Sequence, residues 1–355
     1  MEQQNRRTFT ALGGFNKVLL FVVLVFLVMH YAQTFLIPVV TSALLAMLLV
    51  PVCRKLESWK LSRALSAALA VLVTLSVVIG VIYVLIHELV LMGKDLTAIG
   101  DRLTLALEKV QVYVSEHFRV SVARQRAYLQ EQILTWTNVA GKQLGGLFFS
   151  IISILGNLLI ITVYTVLMLI YRGRVKRFVL KLVHRYAGDE NLSNAQHIVE
   201  KITMVSSRYV AGVFSVVLIL SVTYFLGLTI IGVENALFFA IIAALINIIP
   251  YIGSVAGGAI VVAYTLLTRD TLAVPIIVTI FFTVVQQLDS YVLTPKITGG
   301  QVQLSPLFTI MVLLLGGMVW GAAGMILFIP ILGVVKVVFD NVESLKPYGY
   351  LIGDK

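Results

Sequence analysis

Two polar interruptions lie in the otherwise apolar last third of the chain, and their residues could bind a solute inside a membrane. The first, segment 247–254, contains Asn247, Pro250, Gly253 and Ser254. The second, segment 294–300, contains Pro295, Lys296 and Gly299, and is followed by Ser305 and Pro306. In a bilayer every backbone amide must be satisfied within the protein, so non-helical chain persists there only where it is buried or lines a watery cavity. A transport path would provide such a cavity.

The first interruption has the residues of a chain reversal. Pro250 lacks an amide hydrogen and Gly253 permits a left-handed turn. The helix before the turn would present free carbonyls and the helix after it free amides, and such paired ends can hold a polar solute or an ion. Asn247 and Ser254 would exchange hydrogen bonds with that ligand. The alternative is a structural kink in which Gly253 serves contact between helices.

The second interruption adds ionisable groups. Gln286, Gln287 and Asp289 close the apolar span that precedes it. If Asp289 lies within the hydrocarbon, burial favours its neutral form and suits it to carry a proton. The alternative, which the position of Asp289 near the end of a span favours, is a structural ion pair with Lys296.

The composition identifies a polytopic membrane protein. The 355 residues are 59% hydrophobic and only 12% charged, with a mean hydropathy of +0.98. The apolar pattern predicts an all-α fold of about eight transmembrane helices, with broken or re-entrant helical hairpins in the C-terminal half. The predicted apolar segments are 18–37, 39–52, 64–86, 147–171, 209–231, 236–249, 254–267, 272–293 and 307–338.

Glycines and prolines predict where these segments end or pack. Pro38 and Pro51 enclose segment 39–52 and are expected to bound a short span. Segment 307–338 exceeds one ordinary span of about 17–25 residues, so we expect it to fold back near Trp320 and Gly321. Close packing between helices is expected at Gly317, Gly321, Gly324 and Pro330.

Other function classes are disfavoured by what the sequence lacks. The net charge of +10 comes from basic residues that flank apolar spans, so nucleic acid is not an expected partner. The single cysteine, Cys53, excludes an intrachain disulfide and a cysteine metal cluster. There is no Gly-x4-Gly-Lys-Ser/Thr, His-Glu-x-x-His or Gly-x-Ser-x-Gly motif. We therefore expect a protein that is not an enzyme and that uses no cofactor or metal ion.

Basic stretches indicate the orientation. Stretches 54–63 and 172–208 are rich in Lys and Arg, which places both in the cytoplasm. The predicted parts are N-terminal transmembrane helices (1–86), an extracytoplasmic helical segment (87–146), a transmembrane helix (147–171), a basic cytoplasmic loop (172–208), a motif-rich transport region with broken helices (209–345) and a cytoplasmic tail (346–355). Both termini are then cytoplasmic. Segment 87–146 is interpreted as a solvated helical cap, with partner binding or solute gating as the alternative.

Three blocks, in their order and spacing, resemble those of the bacterial autoinducer-2 exporter family of membrane permeases. They are Asn247-x-x-Pro250-x-x-Gly253-Ser254, the block from Thr294-Pro295-Lys296 to Leu304-Ser305-Pro306, and the block from Gly321 through Gly324 to Pro330. The resemblance extends over nearly the whole chain, and its specificity lies in residues 236–340. Members often carry an acid at the position of Thr294, and a single glycine where this chain has Gly299 and Gly300.

The resemblance implies a multi-pass protein of the bacterial inner membrane that exports a small solute, which is autoinducer-2 in some members. In other members it implies exchange of a monovalent cation for protons. Export would proceed by alternating access. The resemblance also implies a homo-oligomer, of which a pentamer is one candidate form. A scaffold that transports nothing and recruits a partner through segment 87–146 is the alternative from another class.

The expected roles of the site residues follow from these hypotheses. Substrate binding or gating is assigned to Asn247, Pro250, Gly253, Ser254, Gln286, Gln287, Pro295, Gly299, Ser305 and Pro306. Coupling to a proton or an ion is assigned to Asp289 and Lys296. The expected partners are therefore a small molecule or ion, the lipid bilayer and further copies of the chain.

Overall fold

The computed structural model describes residues 16–17, 20–21, 23–93, 156–185, 192–250, 252–269, 271–299 and 304–354. These residues are mostly helical and form no β-strand, so the predicted all-α fold is confirmed for them. Among them, six helices are long and apolar enough to cross a membrane, and two shorter apolar helices accompany these. Most of the predicted extracytoplasmic segment, 87–146, lies outside the described residues.

The described helices are numbered in chain order. They are α1 (23–31), α2 (Gln33–Ser58), α3 (Arg63–Gly93), α4 (Gly156–Arg185), α5 (Leu192–Ile231), α6 (Ala236–Ile246), α7 (Ile252–Thr268), α8 (Ala273–Leu288), α9 (Pro306–Asn341) and α10 (Lys346–Ile352). Two π-helical turns, Asp289–Leu293 and Pro295–Gly299, follow α8, and a 3-10 turn, Glu343–Leu345, precedes α10.

Proline does not end the early helices, and the prediction that Pro38 and Pro51 bound a short span is wrong. Both lie inside α2, and the chain turns instead at Ala32, between α1 and α2. Membrane helices tolerate proline because neighbouring groups and Ser or Thr side chains can satisfy the freed backbone. The first apolar segment is therefore divided at residue 32 rather than at 38.

The predicted basic loop 172–208 is helical over most of its length. Helix α4 continues to Arg185 and α5 begins at Leu192, so the prediction of a loop is wrong for both flanks. Lys and Arg are good helix formers, and charge alone gives the chain no reason to leave the helix. At 1.5 Å per residue α4 is about 45 Å long and α5 about 60 Å, which is longer than the ~30 Å hydrocarbon core.

The last apolar segment reverses as predicted. Inside α9, Gly321 has φ 60° and ψ −142°, which is not a helical conformation. Gly316 and Gly324 would lie about 12 Å apart along a straight helix. Instead, a Cβ on either one would overlap the backbone carbonyl of the other. The hairpin is thus confirmed, and Gly316 and Gly324 lie where its two arms approach most closely.

Gly321 itself has a different role from the one predicted. A Cβ at this position would meet nothing within 4 Å, so Gly321 packs against no neighbour and is required only for the turn. The tip of the hairpin is held by α1, because the Trp320 indole Nε1 donates to the Met29 carbonyl at 2.9 Å. Pro330, also assigned to packing, is buried in the second arm.

We expect Gly321→Ala to destabilise the protein by about 1–3 kcal/mol, the ordinary cost of placing a side chain in a backbone region reserved for glycine. Space is open at this position, so the cost comes from φ alone. Gly80→Ala in α3 is the matched control, because it also meets nothing within 4 Å and Gly80 has no positive φ. Thermal unfolding in detergent measures both variants. Equal midpoints of thermal unfolding for the two variants would contradict a turn that requires glycine at position 321.

The chain divides into two compact units. The first comprises Met1–Ala67, Val163–Val210 and Gln301–Lys355, and the second Ala68–Thr162 and Ala211–Gly300. In the first unit, a buried cluster forms between α2 and the α9 hairpin, from Leu44, Val319, Trp320 and Leu327. In the second, buried residues of α5, α6, α7 and α8 form one core, which includes Leu220, Tyr224, Phe239, Ala244, Val261 and Phe282.

The predicted C-terminal tail, 346–355, forms a short packed helix in the first unit. Helix α10 buries Gly349 and Ile352. The Ser305 amide donates to the Ile352 carbonyl at 3.0 Å, and Leu304 forms an antiparallel bridge with Gly353. The residues just before α9 are therefore held by the end of the chain.

Candidate functional site

The α6–α7 hairpin brings the first interruption into a tight turn in the second unit. The Ile249 amide donates to the Ile246 carbonyl at 3.1 Å, and the Gly253 amide to the Ile249 carbonyl at 2.9 Å. A Cβ on Gly253 would overlap the Ile246 carbonyl oxygen, and one on Gly257 would lie 3.0 Å from the Ala243 Cα. The two arms thus touch backbone to backbone, and Gly253 serves the helix contact of the kink interpretation.

The second interruption is a widened helix, and the expectation of a break at its proline is wrong. The chain remains helical from α8 through the turns Asp289–Leu293 and Pro295–Gly299. In an α-helix, Thr294 would lie about 140° around the axis from Asp289. In the π-helical register the Thr294 amide instead donates to the Asp289 carbonyl, five residues back. This register places the two side chains together.

Asp289 joins the two interruptions. The Asn247 amide Nδ2 donates to Asp289 Oδ2 at 3.0 Å, and the Thr294 hydroxyl donates to Asp289 Oδ1 at 2.8 Å. Asn247 comes from the turn between α6 and α7, whereas Thr294 comes from the π-helical register after α8. Both carboxylate oxygens therefore have a partner, and each partner is an uncharged side chain.

The carboxyl group of Asp289 lies in an apolar environment. Asp289 is 4% exposed and continues the buried face of α8 formed by Val278, Phe282 and Val285. The Phe282 ring stacks on Tyr224 with centroids 4.7 Å apart, and Tyr224 is 1% exposed and close enough to Asp289 for an electrostatic interaction. An acid thus occupies a position at which the helix pattern calls for an apolar residue.

Lys296 does not pair with Asp289, and the alternative of a structural ion pair is wrong. Among the described residues, no Lys, Arg or His nitrogen lies within 4.0 Å of the Asp289 carboxylate. Lys296 is exposed, on the second π-helical turn. Removing one partner of a buried ion pair costs about 3–5 kcal/mol, whereas a surface substitution ordinarily stays within about 0.5 kcal/mol.

We therefore expect Lys296→Gln to leave the free energy of unfolding within about 0.5 kcal/mol of the wild type. The measurement is thermal unfolding in detergent at neutral pH. Lys346→Gln is the control, since Lys346 is another exposed lysine, with a 58% exposed side chain. If Lys296→Gln lowers the free energy of unfolding several times more than this control does, the ion pair between Lys296 and Asp289 is present after all.

The chemistry open to this arrangement is reversible protonation of a buried acid. An amide carries both donors and an acceptor, and a hydroxyl can turn to donate or accept. Asn247 and Thr294 can therefore satisfy Asp289 with or without its proton, after a rotation of the amide or of the hydroxyl. No basic group in the described part of the chain lies within ion-pair distance of Asp289, so gain or loss of a proton breaks no ion pair there.

The remaining predicted residues are not all brought to Asp289. Gln286 donates from Nε2 to the Ser290 hydroxyl at 3.1 Å, while its Oε1 is buried without a partner among the described residues. Gln287 and Pro295 are exposed, Pro250 and Ser254 are half-buried, and Gly299 ends the second π-helical turn. Ser305 and Pro306 belong to the other unit, where Ser305 caps α9 and Pro306 is its first residue.

Two residues of the site were not predicted as such. Thr294 attracted notice only as a departure from the resembling family, because a residue five positions away is not a neighbour in an α-helix. Tyr224 lies in an apolar span and looks like any core aromatic residue. A signal for Thr294 was present in the adjacent Pro295, which removes one backbone donor and favours an irregular helical register.

Comparison with known proteins gives one family and several relatives. A family model described as "AI-2E family transporter" matches residues 19–344. "Putative transport protein YhhT" of Escherichia coli is 25% identical over 329 residues, which are 89% of this chain and 88% of that protein. YueF of Bacillus subtilis, also named as a transport protein, is 34% identical over 141 residues, 39% of this chain and 37% of YueF. A transport protein of Borreliella burgdorferi is 32% identical over 130 residues, which are 36% of each chain. The matches to these last two relatives thus span little more than a third of their length.

Proposed function

Because the chain belongs to the AI-2E family of transporters, we propose that it is a secondary transporter that exports a small polar solute and couples export to protons through Asp289. The observation that carries the proposal is the meeting of both interruptions at one buried carboxyl group, held by Asn247 and Thr294. Ionisable residues within membrane segments are costly and are typical of proton relays and solute pathways.

Alternating access requires a site whose partners can exchange. The hydrogen bond from Asn247 to Asp289 joins the α6–α7 turn to the end of α8, so a movement of either element would make or break it. Loss of the bond would leave the Asp289 carboxyl group with one hydrogen-bond donor fewer. A proton-coupled exporter needs such a link between the position of its helices and the partners of its acid.

The family description contains the name AI-2, so autoinducer-2 is the first solute to test. We propose efflux of labelled autoinducer-2 from vesicles that contain the full chain, compared among wild type, Asn247→Ala and Glu343→Gln. Glu343→Gln is the control, because the Glu343 side chain is 96% exposed and its replacement should have little effect on the fold. We expect Asn247→Ala to slow efflux about tenfold, since leaving a buried polar group without its hydrogen-bond partner costs about 1–3 kcal/mol. Equal efflux in Asn247→Ala and wild type would remove Asn247 from the site.

A second candidate function is exchange of a monovalent cation for protons. It is favoured by one observation, the absence of any described basic group within ion-pair distance of the buried Asp289 carboxylate. A carboxylate with no basic partner among the described residues can accept either a proton or a cation. The same vesicles with a pH-sensitive dye inside test this, after addition of Na⁺, K⁺ or Li⁺ outside. A dye that responds to none of these cations would reject cation exchange and leave solute export standing.

The location and assembly of the transporter are also proposals. We place it in the bacterial inner membrane with both termini in the cytoplasm, because the Lys and Arg residues concentrate at the ends of α2 and α4. We propose a homo-oligomer, with a pentamer as one form to test. Cross-linking in native membranes, compared with purified protein, measures the number of copies.

A further inference from the structure

We propose that the exposed face of α4 beyond the membrane core binds the headgroups of anionic phospholipids. The helix from Arg172 to Arg185 carries six Lys or Arg and no acid, at positions 172, 174, 176, 177, 181 and 185. These cations divide into two sets by their partners. The proposal rests on how the two sets are distributed around the helix.

One set of cations faces the protein. Arg172 donates to both carboxylate oxygens of Glu57, at 2.7 and 2.5 Å. Lys176 donates to Glu200 at 2.8 Å. At 100° per residue these two cations lie on neighbouring positions of one side of α4. Their charge is therefore already balanced.

The other set faces away from these ion pairs and forms none with an acid that the structure describes. Arg174, Arg177, Lys181 and Arg185 are exposed, and none of them forms an ion pair with a described acid. Their spacing i, i+3, i+7, i+11 places them within an arc of about 80°. Four positive charges that no described acid balances thus form one line along the helix.

An apolar line runs beside the basic one. Tyr171, Val175, Phe178 and Leu182 recur at i, i+4, i+7, i+11, and Phe178 and Leu182 are 63% and 47% exposed. The Arg174 guanidinium lies 5.0 Å above the ring of Tyr171. A helix face with an apolar line and a flanking basic line is typical of segments at the membrane surface.

The length of α4 places this face at the level of the headgroups. The helix is about 45 Å long, close to the ~40–45 Å thickness of a bilayer with its headgroup layers. Clusters of four to eight Lys or Arg immediately beyond a transmembrane helix typically bind anionic lipids. The occupant is therefore a phosphodiester headgroup of negative charge, with its acyl chain against the apolar line.

The experiment uses the full chain with Leu182→Cys labelled by a small fluorophore. The native cysteine does not interfere, because Cys53 is 0% exposed. The protein is reconstituted in vesicles that contain either phosphatidylglycerol or phosphatidylcholine with a spin label near the top of one acyl chain, at equal mole fraction. We expect phosphatidylglycerol to quench the fluorophore several-fold more strongly, and added salt to remove the difference.

Removing two positive charges from α4, or two from α2, tests where the lipid binds. Lys181→Gln with Arg185→Gln should bring the quenching by the two lipids close to equal at low salt, whereas Arg54→Gln with Lys55→Gln, two exposed cations of α2, should retain the preference. Equal quenching by the two lipids would overturn the proposal, as would loss of the preference only in the α2 variant. If the fluorophores quench one another and dilution with unlabelled protein removes that quenching, the exposed face of α4 contacts a second copy of the chain and not a lipid. If a variant fails to fold, the labelled protein with its native charges still gives the test, because added salt should remove its preference for phosphatidylglycerol.

Discussion

Asp289→Asn should remove the response of transport to an imposed pH gradient while leaving the protein folded. Asparagine has nearly the shape of aspartate, and its side-chain oxygen can still accept a hydrogen bond from Asn247 or Thr294. Its amide nitrogen would face the other donor, which in the case of Thr294 can turn its hydroxyl to accept. The substitution therefore removes the titrating group with little change of packing.

The expected size of the effect follows from the surroundings of Asp289. The residue is 4% exposed and has no described basic partner, and the donors to its carboxyl group are the uncharged side chains of Asn247 and Thr294. Removing the proposed coupling group takes away the contribution of the gradient to transport, and a tenfold loss corresponds to about 1.4 kcal/mol. We expect at least a tenfold loss of gradient-driven efflux, together with a flat pH profile.

The measurement is solute efflux from proteoliposomes with and without a pH gradient, at several internal pH values. Glu343→Gln removes an exposed acid and should behave as wild type. Size-exclusion elution in detergent establishes that Asp289→Asn is folded. A variant that elutes normally and still responds to the gradient would show that Asp289 is not the coupling group.

The site could be predicted in part from its residue types, but its connections could not. Asn247 and Asp289 were both singled out because polar residues are costly within apolar spans. Their hydrogen bond depends on how the α6–α7 turn packs against the end of α8, and a contact between residues 42 positions apart leaves no local pattern. Thr294 required knowledge of a π-helical register, which places a residue five positions away on the same side.

The fold shows the same division between local signals and context. The reversal at Gly321 was predictable because segment 307–338 is too long for one span and glycine permits the φ of 60° that the turn adopts. The predicted helix ends at Pro38 and Pro51 were wrong, because proline breaks a helix only where its neighbours leave the freed backbone carbonyl groups unsatisfied. The long helices α4 and α5 were missed because charged residues mark the end of a span and not the end of a helix.

Gly253→Ala is expected to be the most damaging of the small substitutions in the α6–α7 hairpin. The added Cβ would overlap the Ile246 carbonyl oxygen and approach the Ile246 carbonyl carbon and the Asn247 Cα. All three atoms belong to the backbone, so no side-chain rotation can relieve the contact. We expect a cost of about 3 kcal/mol, at the upper end of what overpacking ordinarily produces.

The same contact makes Gly253→Ala a test of how the turn and the site are linked. A hairpin pushed apart at Gly253 displaces Asn247, which caps α6 and donates to Asp289. Thermal unfolding in detergent should show the loss of stability, and Gly80→Ala, where the new Cβ meets nothing within 4 Å, should show none. If Gly253→Ala keeps the stability of wild type, the two arms are not in backbone contact. If it folds stably but loses the response to a pH gradient, as Asp289→Asn should, the turn acts on the acid through Asn247.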